Sequence, residues 1–281
     1  MSRGGRSVGR VSEVIPAKNE ARNIEWVLER IPHEVDEVVL VDGRSTDGTV
    51  EVARRIRPDI VVVRDDEPGK GAALRAGFRA ATGRYVAMID ADGSMDPGEI
   101  SAMIEMLEGG LDLVKGSRFA PGGGTADMSI LRSAGNRALL ELSNLLFGAS
   151  HTDLCYGYAA FRRAQILALD LDAVGFEIET QLFLRATRQG LRVAEFPSFE
   201  APRRFGTSNL NTFRDGWRVL QTIFRERRRP AERAMVGLPI ETEPVAIPIE
   251  SSVRQVASMV SDHAYSLATR AAPASVEAIG E

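Results

Sequence analysis

The chain is 281 residues long, 44% hydrophobic and 26% charged, which excludes a wholly disordered or collagen-like protein. Its formal charge of −4 resides in residues 231–281, where seven acids meet three bases; the remainder is formally neutral and only 6% of residues are aromatic, so no nucleic-acid partner is expected. One cysteine, Cys155, excludes a disulfide framework and a cysteine-based zinc site, and no 18-residue apolar run is present to form a transmembrane helix.

Residues 1–10 are basic and Gly-rich without an apolar core, so they read as a flexible N-terminus rather than a signal peptide, and the cytoplasm is the expected compartment. Up to about residue 118, strand and helix patterns then alternate. Val11–Pro16 reads as a strand, and Asn19 is placed to cap a helix reaching about Ile31, with Ile24, Val27, Leu28 and Ile31 on one face. The apolar run at 38–41 makes Val35–Asp42 a strand buried on both faces, and the polar loop Ser45–Thr49 opens a second helix. Ile60–Val63, Tyr85–Ile89 and Leu111–Lys115 read as strands, Pro68–Thr82 and Pro97–Leu107 as helices. This alternation predicts an α/β fold, a mostly parallel sheet flanked by helices, with ligands at the carboxyl ends of its strands.

Ala120–Asp127 reads as a mobile Gly-rich loop, followed by a helix over Ile130–Phe147, a strand over Tyr156–Phe161, a helix over Glu177–Gln189 and a strand over Arg192–Phe196. A loop, Pro197–Asn211, leads to a helix over Phe213–Arg228 that Pro230 ends, with Phe213, Trp217, Leu220 and Phe224 as its apolar stripe. Residues 231–281 read as an acidic, loosely structured extension with one helix near Ser252–Thr269.

Asp90-Ala91-Asp92 follows a predicted strand directly. Two carboxylates at i and i+2 on a strand end suit a hard divalent cation, Mg²⁺ or Mn²⁺, that bridges a diphosphate. The alternative is an acidic turn, since Asp92-Gly93 and Asp96-Pro97 are common loop chemistry. Glu20 and Asp42, at the first two strand ends, are placed to accept hydrogen bonds from a base or ribose. Helix capping accounts for Asn19, Thr46 and Asp47 but less readily for Asp42. Gly69-Lys70-Gly71 puts a cation at a helix start, either as a phosphate ligand or as a loop lysine. His33, His151 and His263 lack metal-ligand spacing, and Met95, Met103 and Met106 read as core.

These motifs, in order, resemble glycosyltransferase family 2, and most closely its dolichol-phosphate mannosyltransferase-like branch. The matching stretches are Pro16–Ile24, Val41–Thr49, Gly69–Gly77, Asp90–Pro97, Gly116–Phe119, Thr152–Arg163 and Phe176–Leu210. The resemblance implies a GT-A type, Rossmann-like fold in a single catalytic domain, residues 11–230. It also implies metal-dependent, inverting transfer of a hexose from a nucleotide sugar, UDP- or GDP-hexose, to an acceptor that includes polyprenyl phosphate. By carry-over, Pro16, Ala17, Glu20 and Asp42 line the nucleotide pocket, with Lys70 beside the donor. Asp90 and Asp92 hold metal and diphosphate, and Arg118 and Arg203 contact phosphates, a role that suits guanidinium forks. Arg132 and Arg137 follow as weaker candidates, equally readable as a solvated face. For a hydroxyl acceptor a carboxylate base is required, and Asp153 is the candidate, or else a turn aspartate bonding backbone.

The chain departs from the family at Lys18, Gly43, Ser94 and Asn209, where an aromatic residue, an aspartate, a glutamine and a lysine are usual. The branch often carries C-terminal membrane helices, which this sequence lacks. Three rival readings remain at this point. One is transfer to a soluble hydroxyl acceptor. Another is a sugar-1-phosphate nucleotidyltransferase, whose Gly-rich signature Val11–Ala21 lacks. The third is a non-catalytic nucleotide-sugar binding protein, against which the intact Asp90/Asp92 pair argues. Arg214, Arg218, Arg225 and Arg227–Arg229 flank the last apolar stripe, so that helix either packs on the domain or makes peripheral contact with the inner face of a membrane.

Overall fold

The computed structural model describes residues 10–208 and 210–230. In chain order these form β1 (Val11–Ala17), α1 (Ile24–Leu28), β2 (Glu37–Asp42), α2 (Thr49–Ile56), β3 (Val61–Arg64), α3 (Lys70–Ala80), β4 (Tyr85–Met88), α4 (Glu99–Glu108) and β5 (Leu113–Ser117). There follow β6 (Gly124–Thr125), α5 (Ile130–Phe147), β7 (Ala159–Arg162), α6 (Arg163–Ala168), α7 (Ile178–Arg188), β8 (Val193–Pro197), β9 (Phe199–Glu200) and α8 (Thr212–Arg228). The described residues belong to one unit. The tail, with its expected helix at Ser252–Thr269, His263, and Asn209 all lie outside the described residues.

The sheet runs β3-β2-β1-β4-β7-β5-β8. Every pair in it is parallel except those of β7, which lies antiparallel between β4 and β5. Because β1, β2, β4 and β5 are buried on both faces, their apolar runs need covers on both sides. On one face Val11, Ile15, Val38 and Leu40 pack with Ile24 and Val27 of α1 and Ile100 and Met103 of α4. On the other, Val14, Val39 and Val86 pack with Leu74 and Phe78 of α3 and Leu182 and Phe183 of α7. The approach of α3 is close enough that a Cβ at Gly77 would lie 2.3 Å from Val14.

Three expectations need correction. Asn19 caps no helix: it sits at φ +59°, its backbone N–H donates to Ser45 Oγ and its side-chain oxygen accepts from Thr46 N–H. The neighbouring N–H groups of Glu20 and Ala21 donate to Thr49 and Asp47, so this loop is fastened to the loop after β2 and α1 starts only at Ile24. The Gly-rich segment Ala120–Asp127 is not free chain, because β6 pairs with β9. Third, α8 turns a different face inward. Asp215, Val219, Thr222, Ile223 and Glu226 are buried, while Phe213 and Trp217 are 78% and 60% exposed. The cause lies in α7, whose buried Arg185 donates to Glu226 at 2.8 and 2.9 Å while Gln181 donates to it at 2.9 Å. Docking follows that polar match, and the aromatic stripe is left outside.

Candidate active site

A cavity of about 740 Å³ opens at the carboxyl ends of β1, β2, β3 and β4. Its walls on that side are Pro16, Ala17, Lys18 and Glu20 after β1, Gly43 and Arg44 after β2, Asp65 and Glu67 after β3, and Asp90–Asp92 after β4. Arg132, Asn136 and Leu139 of α5 and Arg214, Asp215 and Arg218 of α8 also line it. The reversed direction of β7 brings in the residues before it, Cys155, Tyr156 and Gly157.

Asp90 meets Lys70. The Lys70 ammonium lies 2.6 Å from Asp90 Oδ1 and 2.7 Å from Glu179 Oε1 of α7. Burial pushes the Asp90 carboxyl up to about 6, against the pull of Lys70 and with that of Asp92 and Glu179 added. For Lys70, burial alone would lower the pKa, but the two carboxylates outweigh it and hold the group above its usual range. Where the sequence left a phosphate ligand or a loop lysine open, the ammonium is committed to carboxylates. Sequence reasoning missed Glu179; its only signal is an acid one position off the apolar stripe of a buried helix. Gly157 closes against this bridge: a Cβ there would fall 2.6 Å from both Lys70 Nζ and Glu179 Oε1.

Asp92 meets Arg203. Its Oδ1 accepts from Ser94 N–H at 3.0 Å and its Oδ2 from Arg203 Nη1 at 3.2 Å. The other terminal nitrogen of Arg203 donates to Glu20, whose second oxygen accepts from Asn23 at 2.6 Å. The loop carrying Arg203 is strapped over the β4 turn, since Ala201 N–H donates to Ser94 O and Arg204 N–H to Asp92 O. Arg204 also stacks over Trp26, 4.9 Å from the ring centre.

Arg118 reaches the cavity wall but its guanidinium is spent. It makes a two-pronged bond to Asp153 at 2.7 and 3.0 Å, reaches both Glu200 oxygens at 3.1 and 3.2 Å, and donates to Cys155 O. Asp153 is fully buried behind it and does not line the cavity. Burial would raise the Asp153 carboxyl, but Lys115 and the bonds from Arg118 hold it below its usual range. An enclosed, charge-paired carboxylate is poorly placed to take a proton from an acceptor. Asp42 likewise lies off the cavity wall, buried, with its oxygens accepting from Ser45 N–H at 3.2 and 3.4 Å. Pro16, Ala17, Glu20, Asp90, Asp92 and Arg203 are brought together as expected.

Among the described residues no group of three or more His, Cys, Asp or Glu is gathered to hold a metal ion. Asp90 and Asp92 offer hard carboxylate oxygens on one turn, a donor set that suits Mg²⁺ or Mn²⁺ when phosphate oxygens complete the shell.

The sequence profile described as Glycosyl transferase family 2 matches residues 12–168. The chain is 33% identical over 233 residues to a polyprenol monophosphomannose synthase of Mycolicibacterium smegmatis, covering 78% of this chain and 86% of that one. It is 32% identical over 214 residues to an undecaprenyl-phosphate mannosyltransferase of Micrococcus luteus, covering 72% and 88%. Its fold is that of glucosyl-3-phosphoglycerate synthase from Mycobacterium tuberculosis, solved in complex with Mn²⁺, uridine diphosphate and phosphoglyceric acid. The TM-score is 0.64 at 23% identity, over 82% of this chain and 85% of that one.

Proposed function

The chain belongs to glycosyltransferase family 2, and from that premise we propose that it moves a hexose from UDP- or GDP-hexose to a polyprenyl phosphate at a membrane surface, with inversion at the anomeric carbon. The observation that carries the acceptor class is the exterior of the two helices that line the cavity. Ile130, Leu131 and Leu145 of α5 and Phe213, Trp217 and Phe224 of α8 stand exposed, with Ile130 at 91% and Leu145 at 81%. Large exposed apolar groups cost solvation unless something covers them, and the arginines of α8 beside them suit an anionic headgroup layer. No helix among the described residues is long and apolar enough to cross a membrane.

The chemistry supports the same acceptor. A phosphate oxygen is already ionised and needs no general base, and the base expected for a hydroxyl acceptor, Asp153, is walled in by Arg118. Pro16, Ala17, Lys18, Glu20 and Arg44 form the nucleotide side of the cavity, and Arg132, Arg214 and Arg218 supply cations on the acceptor side. Asp90 and Asp92 would hold Mg²⁺ or Mn²⁺, which supplies charge neutralisation for the leaving diphosphate. Arg203 is in reach of the same region and would stabilise the phosphate charge that grows during transfer.

The test is transfer of labelled hexose from UDP- and GDP-sugars to a short polyprenyl phosphate, scored as organic-extractable, mild-acid-labile product. Lipid product formed only with the phosphorylated polyprenol supports the reading. Label appearing solely on a water-soluble hydroxyl acceptor replaces it.

A further inference from the structure

Each carboxylate of the Asp90/Asp92 pair is already engaged by a cation of the chain. Lys70 lies 2.6 Å from Asp90 and shares itself with Glu179, and Arg203 lies 3.2 Å from Asp92 and shares itself with Glu20. All six side chains are mostly buried, so these pairs are screened less than surface pairs. No third protein carboxylate or histidine is gathered with the pair to complete a metal shell among the described residues.

We propose that Lys70 and Arg203 act as an interlock that keeps a divalent cation out of the free enzyme and admits it only together with the donor's diphosphate. The proposal rests on the reading above that the donor is a nucleoside-diphosphate sugar. Free cation entering alone must compete with Arg203 for Asp92 and with Lys70 for Asp90, and gains only two carboxylates. Cation arriving with a diphosphate brings its own phosphate oxygens. The diphosphate also offers Arg203 a new anionic partner, which a planar guanidinium fork binds well. The loop bearing Arg203 is held down by two backbone bonds, Ala201 to Ser94 and Arg204 to Asp92, so the side chain can swing from Asp92 to phosphate while its base stays fixed. Lys70 has no such freedom: Gly157 is packed against it, and Glu179 anchors it from the far side. Arg203 is therefore the moving member and Lys70 the fixed one. Both are positioning residues with respect to the metal.

Metal binding itself tests this, without turnover. Mn²⁺ affinity is measured by calorimetry or by the free-ion electron paramagnetic resonance signal, for the full chain alone and with saturating UDP or GDP. Wild type should bind Mn²⁺ weakly alone and at least about fivefold more tightly with whichever nucleotide it accepts, and the nucleotide should gain by the same factor from Mn²⁺. Arg203→Gln, on an accessible loop, should tighten Mn²⁺ binding in the absence of nucleotide and shrink the coupling. Lys70→Met should also tighten it, and if that variant fails to fold Arg203→Gln decides the matter alone. Unchanged nucleotide-free affinity in a folded Arg203→Gln overturns the interlock while leaving metal-dependent transfer standing. A wild type that takes up no Mn²⁺ with UDP or GDP overturns the metal-dependent reading, and the interlock with it.

Discussion

Glu13 lies in the middle of β1 with its side chain fully buried and neither oxygen hydrogen-bonded by another described residue. Burial pushes its carboxyl up to about 8, against a smaller pull from Arg57. Since the folded value is raised, the stability its proton confers is complete below about 4.5 and is lost as pH climbs through about 8. Urea unfolding at pH 6 and pH 9 should show wild type losing stability over that interval. Glu13→Gln should be flatter, and more stable than wild type at pH 9 by on the order of 2–4 kcal/mol. In the cavity, Asp92→Asn should cut transfer by about 10²-fold or more while leaving the melting temperature close to wild type. Gly157→Ala drives a methyl into the Lys70–Glu179 bridge, and kcat should fall by about 10²-fold, as for other misplacements of that size. That Pro16, Glu20, Asp90 and Asp92 share one cavity wall was readable because each sits in a short motif at a strand end. Glu179 was not, because its partner Lys70 is distant along the chain and only the packing of α7 against α3 brings them within 2.7 Å. The carboxylate partners of Lys70 and Arg118 were not legible for the same reason: they come from elsewhere in the fold.

Elements with a strong local signal kept their expected limits. Helix α5 spans Ile130–Phe147 as predicted, with Ser129 accepting from Arg132 N–H at its start and Gly148 in the left-handed region at its end. Helix α8 has the expected span to within one residue but the opposite inward face. Hydrophobic periodicity ranks Phe213 and Trp217 above Glu226, and the sequence of α8 carries no sign that α7 presents a buried arginine. That pairing has a measurable cost of removal. Glu226→Ala leaves the Arg185 guanidinium, 4% exposed, without its main partner, and unfolding free energy should drop by about 3 kcal/mol. Trp217→Ser, at an exposed position of the same helix, should change it by less than about 0.5 kcal/mol.

At the scale of the whole molecule, stability and location should separate. Phe213→Ser with Trp217→Ser is expected to leave the fold intact and abolish co-sedimentation with anionic vesicles. Wild-type association should fade with added salt and with charge reversal at Arg227–Arg229, because surface attraction is screened beyond roughly 8–10 Å at physiological ionic strength. A protein that stays in the supernatant at low salt removes the membrane from its function. The alternation of strands and helices disclosed the α/β class and the active edge of the sheet. It could not disclose that β7 runs backwards between β4 and β5, since a short apolar strand reads the same in either direction. That one reversed strand also sets a timetable for synthesis. When Ser117 has left the ribosome, β4 and β5 both exist but have no partner in common, and each offers a bare edge to other nascent chains. The gap between β4 and β5 closes, and Tyr156 and Gly157 reach the cavity, only after Arg162 has emerged, and the far edge of β5 waits for β8. Until then the N-terminal half is a half-built template with two sticky borders, and the protein's yield in a cell should depend on whatever shields those borders during the interval.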